Sequence, residues 1–127
     1  LCPQFDSTMG NPALLRPVLQ QFPELKIWLM HAGGPYFEET LRLMNDFPNV
    51  YVDISVLNNP QIIPPDIFHQ QLQQLLDAGM EDRILFGSDN GDYDLIIPNM
   101  QAAGLSRLHY EKIMYKNAVA FFASAAP

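Results

Sequence analysis

Two ionisable side chains stand directly behind short apolar runs, where a catalytic or metal-binding residue would sit at the end of a buried strand. His31 closes the run KIWLMH (26–31), and Asp89 follows RILFG (83–87). A neutral imidazole accepts a proton, donates one or ligates a divalent metal. A carboxylate ligates the same metal or takes a proton from its water. A bound divalent ion lowers the pKa of water to about 7 and polarises a carbonyl. Each residue also has a plainer use. A lone histidine behind an apolar strand is often a satisfied structural one, and Asp89 in Gly-Ser-Asp-Asn-Gly suits a turn or a helix cap. Asp53 falls inside a third run, VYVDISV (50–56), and reads as structural, accepting loop backbone N–H groups near a strand end. His69 and His109 lie among polar residues in helical stretches and read as surface or packing residues. The segment His31-Ala-Gly-Gly lacks the spacing of a phosphate-binding motif, and Glu38 and Glu39 would repel an anion there.

The elements that must position these residues alternate. Pro12 to Phe22 reads as a helix behind the cap Asn11, with Pro17 allowing a later start. The strand 26–31 follows, then a Gly-Gly turn and a helix opened by Pro35, with its apolar side formed by Phe37, Leu41, Leu43, Met44 and Phe47. The second strand, 50–56, places Asp53 and Ser55 on one face. A proline-rich loop leads to a helix over 66–78 with Gly79 at its end. The third strand, 83–87, precedes a short helix over 94–103 and a last helix capped by Ser106. Apolar strands alternating with helices imply parallel right-handed βαβ units, whose sites form at the C-terminal ends of the strands. Strand parity would place His31 on the face of Ile27 and Leu29, and Asp89 on that of Leu85 and Gly87. Gly87 would then leave room for a metal or substrate.

Bulk properties narrow the field. The 127 residues are 48% hydrophobic and 17% charged, enough apolar material for a packed core. The net charge of −7 and the absence of a Lys/Arg cluster argue against nucleic acid. No apolar run approaches the roughly 20 residues that span a bilayer, so no membrane partner is expected. A single cysteine, Cys2, excludes an internal disulfide and favours a cytoplasmic setting. The first residue is Leu1, which points to processing or to a fragment.

The segments FPELKIWLMHAGGPY, NVYVDISV, DRILFGSD and EKIMYKNAVAFF, in this order and spacing, resemble the amidohydrolase-related branch of the amidohydrolase superfamily. That branch includes relatives of aminocarboxymuconate-semialdehyde decarboxylase and lactonases of dicarboxylates. The resemblance runs from about Pro12 to Phe122. It implies an α/β chain forming the C-terminal part of a (β/α)8 TIM barrel, with three parallel strands, six to eight of the barrel, and flanking helices across 1–127. By the same resemblance His31 matches the strand-six histidine, an acid/base or carbonyl polariser that also binds a second metal in binuclear relatives. Asp89 matches the strand-eight aspartate, a metal ligand and base. Asn117 belongs to the closing helix, with a structural role.

The family's His-x-His pair and its strand-five histidine have no counterpart here, and a barrel needs about 250 residues. Asn90-Gly91-Asp92 also stands where relatives often carry an aromatic or proline-containing loop. The chain is therefore expected to be the C-terminal part of a metal-dependent hydrolase. The expected cofactor is a divalent metal, with zinc favoured, held by Asp89 and His31. The partner is a small carbonyl-containing amide, lactone or acid. Alternatives are a non-catalytic half-barrel module and a metal-dependent decarboxylase. The isolated chain is expected to be inactive, and homo-oligomerisation of the complete protein stays open.

Overall fold

A computed structural model describes residues 6–123. Cys2 lies outside them. Three strands, β1 (Ile27–Leu29), β2 (Val50–Asp53) and β3 (Ile84–Leu85), form one parallel sheet in the order β1-β2-β3. Each connection carries a helix, as the alternation of apolar strands and amphipathic stretches demands. These are α2 (Phe37–Asp46) between β1 and β2, and α3 (Pro65–Asp77) between β2 and β3. A 3-10 turn at Pro12–Leu15 runs into α1 (Arg16–Gln21) before the sheet, so the expected single helix from Pro12 is split, with Pro17 in its first turn. α4 (Tyr93–Ala102), α5 (Arg107–Glu111), a π segment (Lys112–Lys116) and α6 (Asn117–Ala123) follow. Among the described residues no helix is long and apolar enough to cross a membrane.

Helical spacing selects what is buried. α2 turns Phe37, Thr40, Leu43 and Met44 inward, and α3 buries Phe68, Leu72 and Leu75. Full burial of such a side chain stabilises by about 1.5–3 kcal/mol. Val50, Val52, Ile54 and Ile84 of the strand region are buried in the same core. Gly79, at φ +72, closes the end of α3 in the left-handed conformation a glycine tolerates. Pro35 does not open α2 as expected: the helix begins at Phe37 after the cis Gly34-Pro35 bond.

The strands are shorter than the apolar runs that announced them. Beyond Leu29 and Asp53, the backbone N–H groups of His31 and Ser55 bond to the Asp53 side chain, which takes them out of the ladder. Past β3, the Phe86 N–H donates to the Ile113 carbonyl of the π segment at 2.9 Å, so the last helix meets the outer side of β3.

Two polar side chains, half-buried Arg83 and buried Asn117, tie helices to the sheet. Arg83 donates to the carbonyls of Met44, Phe47 and Val50 at 2.8, 3.1 and 3.4 Å, placing a cation at the negative end of α2. Burial pushes its guanidinium pKa down. Asn117 donates through Nδ2 to the carbonyls of Glu81 and Ile84 at 2.8 and 2.7 Å, the structural role expected of it. Removing that amide strands two carbonyls. Asn117→Ala is expected to lower unfolding free energy by about 1–3 kcal/mol, read as a shifted urea midpoint. An unchanged midpoint would contradict the role.

Candidate functional site

The C-terminal end of the sheet is organised by one carboxylate. Asp53, 3% exposed, ends β2. Its Oδ1 accepts the backbone N–H of His31 and that of Ser55, both at 3.0 Å, and the Ser55 hydroxyl. Its Oδ2 accepts the Trp28 indole N–H at 2.9 Å. A buried carboxylate is tolerable when its lone pairs are filled in this way. The structural reading of Asp53 was thus legible in the sequence, and so was the shared face of Asp53 and Ser55.

His31 does not follow strand parity. β1 stops at Leu29, and Met30–Gly33 form a 3-10 turn in which His31 and Ala32 adopt φ +56 and +46. The residue of β1 that reaches the polar cluster is Trp28, on the opposite face from Ile27 and Leu29. The His31 ring bonds through Nδ1 to the Ser55 Oγ at 2.8 Å, and no described residue bonds its Nε2. Asp89 also leaves the extended path, at φ +46 in a turn closed by the Gly91 N–H to the Ser88 carbonyl at 2.8 Å. Non-glycine residues of positive φ occur at His31, Ala32, Val56, Asp89 and Asn90, all in the loops after the three strands.

His31 and Asp89 nevertheless come together. Both line a cavity of about 470 Å³, whose wall includes Phe37, Val56, Leu57, Ile62, Ile63 and Ile67. That wall was not singled out in the sequence, because its residues come from one loop and two helices and share no periodicity. Gly87 does not open onto this space. A Cβ there would stand 3.0 Å from the Ser55 Cβ and 3.7 Å from the Asp53 Cγ, so the missing side chain accommodates Ser55. His69 and His109 lie elsewhere. His69 Nε2 bonds the Asn99 carbonyl and side-chain oxygen, linking α3 to α4, and His109 supplies the N–H that Ser106 caps.

The donor chemistry fits part of a divalent-metal site. The open Nε2 of His31 and a carboxylate of Asp89 with no partner among the described residues offer one nitrogen and one oxygen ligand. Among those residues no three His, Cys, Asp or Glu side chains converge to hold a metal. Catalytic zinc normally takes three protein ligands.

The sequence matches the family model described as Amidohydrolase over residues 2–123. A curated relative, Protein fluG of Emericella nidulans, is 30% identical over 80 residues, covering 63% of this chain and 9% of its own length. An uncharacterized TIM-barrel protein from Bordetella bronchiseptica superposes with TM-score 0.73 at 26% identity, over 93% of this chain and 41% of its own. A zinc-bound amidohydrolase from Burkholderia multivorans gives 0.66 at 20% identity, over 87% and 50%. A manganese- and inhibitor-bound dihydroxybenzoic acid decarboxylase from Polaromonas sp. JS666 gives 0.63 at 20%, over 94% and 38%. The three strands and their helices are thus part of a TIM barrel, and the chain spans half or less of each of these proteins.

The packing at Gly87 generates a prediction. Gly87→Ala forces Ser55 to shift, and about 1–3 kcal/mol of stability should be lost to the crowding. Thermal unfolding reads this out; a variant as stable as the parent would show that Ser55 is not confined there.

Proposed function

The chain belongs to the amidohydrolase family, and on that footing we propose that it is the C-terminal part of a metal-dependent hydrolase, supplying strands six to eight of a (β/α)8 barrel. The observation that carries this reading is the convergence of His31 and Asp89, from the loops after two different strands, on one cavity. In parallel barrels that end of the sheet is where sites form.

The surroundings of each residue support a division of roles. Asp89 is the metal ligand: its carboxylate is exposed and engaged by no described side chain. His31 is the proton handler, holding or moving a proton at Nε2 while Nδ1 stays bonded to Ser55. A divalent ion, zinc by preference, would supply Lewis-acid polarisation of the substrate carbonyl when bound. The metals in the zinc- and manganese-bound relatives support that choice of cofactor class. The substrate is a small carbonyl compound, an amide, lactone or carboxylic acid. The wall of Phe37, Leu57, Ile62 and Ile67 would take its apolar part and exclude water from that side.

A second reading draws on the donor count. Two protein ligands make a poor metal site, which favours a non-catalytic half-barrel module for the chain taken alone. Decarboxylation of the same substrate class is separated from hydrolysis by product analysis.

The test uses the full-length protein that contains this chain. Metal content measured by mass spectrometry should fall at least about tenfold in Asp89→Ala, the loss usual for a disturbed metal shell. His31→Gln should retain metal and lower kcat by about 10²–10⁴-fold. Full metal occupancy in Asp89→Ala would overturn the ligand assignment, and unchanged kcat in His31→Gln would overturn the proton role.

A further inference from the structure

We propose that Ser55 and Asp53 are positioning residues for His31, holding its neutral imidazole in the tautomer that carries the proton on Nδ1 and leaves Nε2 bare. The inference deepens the reading of His31 given above and rests on it for its functional meaning.

The argument is one of donors and acceptors. The Ser55 Oγ stands between two partners, the His31 Nδ1 at 2.8 Å and the Asp53 Oδ1. A carboxylate only accepts, so the single hydroxyl proton of Ser55 goes to Asp53. The Ser55 Oγ then meets Nδ1 with a lone pair, and Nδ1 must bring the proton. The opposite tautomer would turn the Ser55 proton to the ring and set two oxygen acceptors face to face. Ser55 and Asp53 are 4% and 3% exposed, and a mismatch of that kind is costly where water cannot relieve it.

The backbone removes the remaining freedom. The same Oδ1 that receives the Ser55 hydroxyl also receives the His31 N–H at 3.0 Å, so the main chain and the ring of His31 are referenced to one atom. The Ser55 N–H on Oδ1 and the Trp28 indole on Oδ2 hold the carboxylate itself. Gly87 leaves the space that Ser55 occupies. A bare Nε2 is the form that accepts a proton or a metal. A carboxylate acting through a relay to select it is a known way of tuning a histidine.

Tautomers of histidine are distinguishable by long-range proton–nitrogen NMR. The experiment uses the full-length protein with ¹⁵N-labelled histidine, at a pH where His31 is neutral, with its signals assigned by their loss in His31→Gln. The expected wild-type pattern is protonated Nδ1 and bare Nε2. Ser55→Ala should shift His31 toward the Nε2-protonated form and lower kcat by about 10–100-fold, with KM changed less. A wild-type pattern with Nε2 protonated overturns the proposal, as does an unchanged tautomer in a folded Ser55→Ala. Should Ser55→Ala not fold, the wild-type spectrum alone decides. An Nδ1-protonated spectrum alongside unaltered kcat in His31→Gln would uphold the tautomer and refute the catalytic reading, so the two fail separately.

Discussion

A carboxylate buried at the end of the middle strand sets the terms for the rest of this structure. Asp53 would be unsustainable in a dry site without donors, and the fold brings it four. One comes from β1, one from the turn after it, and two from Ser55. Each of these bonds fixes something else. The indole locks β1 against β2 beyond their backbone pairing. The His31 N–H ends the first strand and stabilises a left-handed turn that its own sequence would not favour. The Ser55 pair bends the chain away from the sheet toward the cavity. The need to satisfy one anion thus determines where the strands stop and how the histidine is presented.

The opposite side of the architecture does different work. Arg83 gathers carbonyls at the end of α2, and Asn117 gathers two more beside β3, so helices are riveted to the sheet by neutral or cationic donors. The π segment adds a carbonyl to the outer side of β3. Apart from the Phe86 bond just past β3, these contacts lie at the strand entries and helices, and none involves His31, Asp89 or the apolar wall. Asp53 serves both scaffold and candidate site, whereas Arg83 and Asn117 serve the scaffold alone.

How much of this could be read in the sequence follows from the range of each interaction. The parallel order, the helices α2 and α3 and the structural role of Asn117 were legible. They depend on local periodicity or on a resemblance that spans nearly the whole chain. The terminal role of Asp53 was legible too, since a lone carboxylate in an apolar strand must find donors nearby. Strand parity failed at His31 and Asp89 because it assumes an extended chain, and both residues sit in turns that side-chain bonds or tight backbone bonds create. Gly87 was misread for a similar reason: the space beside it belongs to Ser55, a neighbour 32 positions away that no local pattern announces. The apolar wall is a product of tertiary assembly, collected from residues with no common spacing.

The left-handed residues at the strand ends have a consequence for where the fold carries its backbone cost. Val56, a β-branched residue, holds a left-handed conformation that costs it energy, whereas Asp89 and Asn90 are of the types that tolerate it best after glycine; all three lie on the rim of the sheet. A glycine at any of them would relax the backbone but remove the side chain presented there. The backbone cost is thus concentrated on the rim, in the loops that carry His31 and Asp89, while the strands and helices beneath hold ordinary conformations.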